Sequence, residues 1–292
     1  MAFCYAAPAS LSETLDFLAE YGPDSSILAG GMSLVPALKK GLLTQKFLVN
    51  IKGIGEAAAP ALDPARDQLT IGALVRHREI ETSPVINEYF PTLRTLEEGL
   101  ASVQIRNHGT LAGNLCAAEP WTDPPCLLAA LDARLTVVSK RGQRQVAAAD
   151  WIRGVGETLR QPDELLLRID LSLPRGSVGI GHARLAARQG LARPLACAAA
   201  HITLSESGNV VAARAFVGAV GPRPQRITDV EQMLVGNRLN GELCAEIEHS
   251  VSRAIEYLPD QRCGAQYKTQ VAGVLVRRAI ADAIANAKTQ DA

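Results

Sequence analysis

Two short runs of small residues are places where the backbone, rather than side chains, could do chemistry. One is Ala29-Gly30-Gly31-Met32-Ser33, directly after Leu28; the other is Gly109-Thr110-Leu111-Ala112-Gly113-Asn114. Small and turn-forming residues let several N–H groups converge on one point, which is how a chain cradles phosphate oxygens without using side-chain charge. A loop of this kind beside a helix start favours an anion. A single such loop reads as an ordinary strand-to-helix turn. Two in one chain suit a diphosphate, whose two phosphoryl groups a pair of converging loops can grip. Beyond the second run, Asp123 stands as an N-cap, Pro124 occupies the first helical position, and an apolar run continues to Leu131.

The other reactive residue types are dispersed. His108 and His182 read as surface or satisfied histidines, and no Ser/His/Asp, Cys/His or metal-binding triad can be assembled. Cys4, Cys116, Cys126, Cys197, Cys244 and Cys263 include no CxxC pair. Iron–sulfur clusters and structural zinc want clustered thiolates, so neither is expected, and the thiols read as reduced and mostly buried. Trp121 reads as a packing residue and Tyr267 as core or interface. Gly53-Ile54-Gly55 opens like a dinucleotide fingerprint, but Ala58 stands where the third glycine should fall and no long helical pattern follows. That excludes a Rossmann reading.

The elements that must position the two loops follow from pattern. Ser10-Leu11-Ser12-Glu13 fits a capping box, and Leu15, Leu18 and Ala19 continue it as a helical stripe. A short strand over 26–29 delivers the first loop, and a helix over 34–40 leaves it. Strands are expected over 47–51 and 68–72, with a loop over 57–64 as the seam between two lobes. A helix over 91–101 leads into the second loop. A β-branched strand follows over 134–139, then a basic turn through Arg144 and a strand over 165–173. The glycine-rich stretch 175–181 marks the main domain boundary. Beyond it, apolar runs over 194–205 and 210–220 flank Glu206-Ser207-Gly208-Asn209, a β-hairpin signal, and helical patterns cover 227–235, 243–257 and 265–287.

At 292 residues, with 47% hydrophobic and 21% charged, the chain supplies ample core for two domains or more. Thirty Lys and Arg balance thirty Asp and Glu, which disfavours a large nucleic-acid footprint or general attraction to membranes. No signal-like segment and no run long enough to span a bilayer is read, so a cytoplasmic protein is expected.

Both loops together resemble those of the FAD-carrying medium subunits of molybdenum hydroxylases, the family of carbon monoxide dehydrogenase, the bacterial N-heterocycle dehydrogenases and xanthine dehydrogenase. Ala29 to Ser33 is similar to the family's AGG-x-S loop, and Gly109 to Asn114 to its GT-x-GGN loop. Glu119-Pro120-Trp121-Thr122-Asp123 resembles DP-x-x-D, and Leu128-Ala129-Ala130-Leu131-Asp132-Ala133 its LALDA segment. Tyr267-Lys268 through Val274-Leu275-Val276-Arg277-Arg278-Ala279 is similar to its last helix.

The resemblance implies an α+β fold: a two-lobed PCMH-type FAD-binding domain over 1–176, with lobes near 1–57 and 58–176, then an α+β C-terminal domain over 177–292 built of a hairpin sheet plus helices. FAD would lie between the lobes, its diphosphate gripped by Leu28, Ala29, Gly30, Gly31, Met32 and Ser33 on one side. On the other side stand Thr110, Leu111, Ala112, Gly113 and Asn114. Asp123 matches an aspartate that contacts the cofactor's sugar–phosphate region, Leu166 a strand position against the isoalloxazine, and Arg184 a basic residue beside the flavin. A cation there would favour the anionic reduced flavin and a higher potential. Three residues depart from the pattern: Ala112 replaces a glycine, Glu119 an aspartate, and His182 stands about where some members carry an aromatic that covers the flavin.

By the same resemblance the substrate is oxidised at a molybdenum–pterin centre on a large partner subunit. Electrons then arrive through 2Fe–2S clusters on a small one and leave to an external acceptor, in a heterotrimer or a dimer of heterotrimers. The scattered cysteines fit that division and argue against the hydroxybenzoyl-CoA reductase branch, whose flavin subunit carries an extra cluster. Two alternatives stand beside it: a self-contained FAD oxidase of the vanillyl-alcohol-oxidase type, and a flavin-free scaffold in which Ala112 has abolished cofactor binding.

Overall fold

The computed structural model describes residues 3–55, 60–63, 65–188 and 191–289. The chain begins with β1 (Cys4–Ala6), α1 (Leu11–Tyr21), β2 (Ser25–Leu28), α2 (Leu34–Lys39) and β3 (Phe47–Asn50). These three strands form a parallel sheet in the order β1-β3-β2, so both loops leaving β1 and β2 cross over through helices. Ser10 caps α1 as its sequence predicts, accepting from Glu13 N at 3.2 Å, while the Glu13 carboxylate reaches one residue further back, to Ala9 N at 2.9 Å.

Next come β4 (Pro60–Asp63) and β5 (Gln68–Gly72), followed by five short helices: α3 (His77–Thr82), α4 (Pro84–Tyr89), α5 (Pro91–Glu98), α6 (Val103–Arg106) and α7 (Leu111–Ala117). Then follow α8 (Pro124–Ala130), β6 (Arg134–Ser139), β7 (Gly142–Ala147), α9 (Ala148–Trp151), β8 (Ile152–Gly154), β9 (Glu157–Thr158) and β10 (Leu165–Ser172). An antiparallel sheet in the order β4-β5-β10-β6-β7 is the frame of this lobe. Two expectations are corrected here. Residues 60–63 of the expected seam loop form an edge strand, and the basic turn through Arg144 is strand β7, whose exposed polar residues suit a sheet edge. The seam at 57/58 itself lies outside the described residues.

The last third contains β11 (Val178–Ala186), β12 (Pro194–Leu204), β13 (Val210–Gly218), β14 (Gln225–Arg226), α10 (Thr228–Leu234), α11 (Gly241–Ala254) and α12 (Ala265–Thr289). The four strands pair antiparallel in chain order, and Gly208, at φ +79°, turns the expected hairpin between β12 and β13. Strand alternation divides this sheet cleanly. Ala196, Ala198, Ala200 and Ile202 of β12 face a core shared with α10, α11 and α12, while Cys197 and Ala199 join the core of the N-terminal part. The sheet is thus sandwiched between α12 and α8. Gly179 and Gly181 lie inside β11 rather than in a linker. A β-carbon at either would lie within 2 Å of a carbonyl of α12, that of Ala283 or Ala279.

All six cysteines are free, but only Cys126 and Cys197 are buried; Cys4 is exposed and the others are half-buried, a correction to the expectation of mostly buried thiols. Tyr267 is exposed, so the register of α12 does not turn it into the core. Among the described residues no helix is long and apolar enough to cross a membrane.

Candidate functional site

The first loop leaves Leu28 at the end of β2 and turns through Gly31, whose φ of +76° is a left-handed conformation that glycine adopts without steric cost. Val35 N donates to Gly31 O at 3.0 Å, which starts α2. The N–H groups of Gly30, Gly31, Met32 and Ser33 donate to no acceptor among the described residues. Unpaired amides around a left-handed glycine are a backbone arrangement able to bind an anion.

The second run differs from its expected loop form. Thr110 is the N-cap of α7, accepting from Gly113 N at 3.0 Å, so Leu111, Ala112, Gly113 and Asn114 form the helix's first turn. Ala112 has ordinary helical backbone and its methyl is buried in the core. The two runs meet: a β-carbon on Gly30 would lie 2.2 Å from His108 O and 2.8 Å from Gly109 Cα, and one on Gly109 would lie 3.5 Å from Met32 Cγ. Distant in sequence, they touch backbone to backbone.

The second run is braced from behind by residues that sequence reading did not single out. His77 and Glu97 form a buried pair, Nδ1 to Oε2 at 2.7 Å, with the His77 ring against Gly109. Arg106 donates to Glu81 at 2.8 Å and to the carbonyls of Leu100 and Ala101 at 3.0 and 3.1 Å. Beside it, Arg106 holds the Glu81 carboxyl below its ordinary range in spite of burial. Helices α3, α5 and α6 carry these groups, and each is too short for its periodicity to reveal which side chains converge.

Asp123 occupies the N-cap of α8 as expected, but its side chain makes no capping bond. It is 1% exposed and faces β11, with Oδ2 at 3.5 Å from Arg184 Nε and Oδ1 at 3.6 Å from His182 Nε2. Asp123 Oδ1, His182 Nε2 and Arg184 Nε are all buried without a hydrogen-bond partner. Arg184 is fixed at its other nitrogens, donating to Gly99 O and Ala192 O at 2.8 Å each. Asn114 Nδ2 donates to Thr122 Oγ1 at 2.9 Å, tying the second run to the residue before Asp123. Leu166 is buried on β10, in the same hydrophobic core as Leu111, Ala112 and Leu115 of α7.

His182, Cys197 and Asp123 offer ligand-type atoms within 4.8 Å of one another. With the Arg184 guanidinium already against the carboxylate, the cluster carries its positive charge in protein groups, and a metal cation would be repelled.

These features fit a nucleotide cofactor: free amides in a glycine cradle, a contact between loops that a side chain would block, and buried polar atoms awaiting partners. Comparison with known proteins agrees. A family model described as the FAD binding domain in molybdopterin dehydrogenase matches residues 1–175, and one described as the CO dehydrogenase flavoprotein C-terminal domain matches 182–283. The chain is 31% identical over 283 residues to caffeine dehydrogenase subunit beta of Pseudomonas sp. strain CBB1, covering 97% of this chain and 95% of that protein. It is 31% identical over 287 residues to the carbon monoxide dehydrogenase medium chain of Afipia carboxidovorans, covering 98% of each. Its fold matches carbon monoxide dehydrogenase from Hydrogenophaga pseudoflava with a TM-score of 0.93 at 28% identity, over 98% of both chains. Quinoline 2-oxidoreductase from Pseudomonas putida 86 matches with a TM-score of 0.91 at 30% identity, again over 98% of both. From cradle to C-terminal sheet, then, the chain belongs to the FAD-binding medium subunits of the molybdenum hydroxylases, a family of oxidoreductases.

Proposed function

We propose that this chain is the electron-transferring flavoprotein subunit of a heteromeric molybdenum-containing dehydrogenase, with its FAD-binding domain over 1–176 and its C-terminal domain over 177–292. The observation that carries the reading is the backbone contact between Gly30 and His108–Gly109, with unpaired amides from Gly30 to Ser33 alongside. Leu28 to Ser33 and Thr110 to Asn114 would hold the diphosphate. Asp123 and Arg184 would meet the sugar–phosphate region and the flavin, and Leu166 would back the ring from its strand.

FAD, when bound, supplies the redox chemistry, accepting electrons and passing them on. The residues of this chain bind, orient and tune. The cradle neutralises phosphate charge with N–H dipoles, at no cost in side-chain entropy. Arg184, pinned by two carbonyls, keeps a fixed positive charge beside the cofactor and so favours its reduced, anionic form. Relatives named as the medium chain of carbon monoxide dehydrogenase or the medium subunit of nicotine 6-hydroxylase support an assembly with larger and smaller partners. We assign a molybdenum–pterin subunit and a 2Fe–2S subunit as those partners, in a cytoplasmic heterotrimer that can pair into a dimer.

The test has two arms. Gly31→Asp sets a negative side chain in the cradle and should strip FAD, whereas Gly31→Ala, which carries the same backbone strain without charge, should retain part of it. Full flavin content in Gly31→Asp, with an unchanged far-ultraviolet spectrum of the fold, would refute the role of the first loop. Affinity capture of the tagged chain from its host should bring down iron- and molybdenum-bearing polypeptides. A yellow chain that comes down alone and oxidises a small molecule by itself would point to a self-contained oxidase instead.

A further inference from the structure

His182 stands on β11 two residues before Arg184, on the same face, opposite Ala199 of β12. Its side chain is 8% exposed. Asp123 of α8 faces it at 3.6 Å, the Cys197 thiol of β12 lies within 4.8 Å, and that thiol stands beside Cys126 of α8, while Arg184 follows two residues along the same strand. The Cys126 contact and burial push the Cys197 thiol well above its ordinary range, so it is neutral. Helix α5 also packs on β11, but its charged groups are engaged elsewhere: Arg94 with Glu98 at 3.5 Å, and Glu97 with His77 at 2.7 Å. His182 therefore faces one carboxylate, one guanidinium and neutral thiols.

The geometry points to His182 as a positioning residue for the flavin site. Its imidazolium and the Arg184 guanidinium hold the Asp123 carboxylate between them and leave the site one positive charge in excess for an anionic cofactor. Burial opposes that charge, but the Asp123 carboxylate and the Cys197 contact outweigh it and carry the histidine pKa up to about 9. Two cations against one carboxylate in a buried cluster are costly until an anion completes the set. A histidine can fill this role and then release it, because its proton is the part that leaves. The sign follows: the excess charge is present at neutral pH and is lost as pH rises through about 9, so FAD is held tightly below that value and loosened above it.

The inference rests on the flavin reading, and one experiment separates the two. The FAD dissociation constant of the purified full chain is measured by quenching of flavin fluorescence across neutral to alkaline pH. Between about pH 8 and pH 10 the wild type should lose roughly tenfold in affinity. His182→Asn should bind more weakly at neutral pH and show no such step, and His182→Arg, with permanent charge, should stay tight without it. A His182→Asn chain that reproduces the wild-type profile overturns the inference alone. A wild-type chain that takes up no FAD at any pH overturns the flavin reading and this inference with it. Should His182→Asn fail to fold, Asp123→Asn offers a second readout: the imidazole titration, followed by NMR, should move from about 9 to below its ordinary value of 6.5. An imidazole that titrates as before overturns the inference.

Discussion

A β-carbon at Gly30 would lie 2.2 Å from the His108 carbonyl oxygen, so the first loop reaches the second only because position 30 has no side chain. The obstacle is backbone, which cannot swing aside as a flexible side chain can. Gly30→Ala should therefore separate the loops, at a cost of about 1–3 kcal/mol in stability and at least about tenfold in FAD affinity. Thermal unfolding and a fluorescence titration measure the two losses, and a variant that keeps both values would show that the contact is not needed. Ala112 behaves in the opposite way. Its methyl is buried in the core from the first turn of α7 rather than standing in the cradle. Ala112→Gly should cost about 0.5–1 kcal/mol through helix propensity, with FAD affinity within about threefold of wild type. A large gain in affinity would mean that the methyl crowds the cofactor after all. The glycine pair of the first loop stood out in the sequence, whereas the second run, read as a loop, is the N-cap and first turn of α7, which its small residues do not distinguish from a loop. The cluster around Asp123 did not stand out. Its capping position could be read, but Arg184 and His182 arrive on a strand far along the chain, and nothing in their own neighbourhood announces a carboxylate.

Elements were legible where one pattern persisted long enough. The hairpin of β12 and β13 and the three last helices fall where their patterns predict, because the strands alternate and Gly208 marks the turn. Helices α3 and α4, by contrast, are six residues each and are separated by Ser83 alone, with Pro84 opening the second, too short for a helical stripe to emerge. The glycines after Ser177 illustrate a composition signal with two physical meanings. Glycine-rich sequence suggests a linker, yet Gly179 and Gly181 sit in β11 so that α12 can lie backbone against backbone on the sheet. Gly181→Ala would place a β-carbon 1.9 Å from Ala279 O and should cost on the order of 3 kcal/mol. Gly241→Ala, at the first turn of α11 with open space around it, should instead be neutral or stabilise by about 0.5–1 kcal/mol. Urea unfolding of the two variants compares them directly. If both behave alike, the close approach of α12 is not what the strand glycines serve. Because β11 also carries His182 and Arg184, a shifted strand should release flavin as well.

At the scale of the molecule, the contacts between the stretch around Trp121 and the last third of the chain were hidden in the sequence. They are made by residues scattered across the sequence. Arg262, between α11 and α12, donates to the carbonyls of Arg193 and Pro194 at 3.3 Å and lies 5.1 Å over the Trp121 ring, close to Asp123 in the chain. Its guanidinium also meets Asp260, whose carboxylate is 2.7 Å from Lys268 Nζ. Lys268 is 1% exposed, and its ammonium reaches Ala219 O at 3.5 Å. Arg262 first, then Lys268, hold the Asp260 carboxyl well below the usual carboxylate range against the pull of burial. A depressed folded pKa contributes stability that is complete above the unfolded value, about 3.9, and declines as pH falls below it. Asp260→Asn should therefore flatten part of the acid limb of the melting curve. At neutral pH it should also cost about 3–5 kcal/mol, because it strands a buried ammonium without its counter-charge. Lys268→Met removes that charge and should cost less. In the double variant, part of the Asp260→Asn loss should return, since no ion is then left unpaired at Lys268. Urea unfolding of the four proteins at neutral and acid pH closes this cycle. If Asp260→Asn proves no more damaging than Lys268→Met, the ion pair does not hold the start of α12 in place.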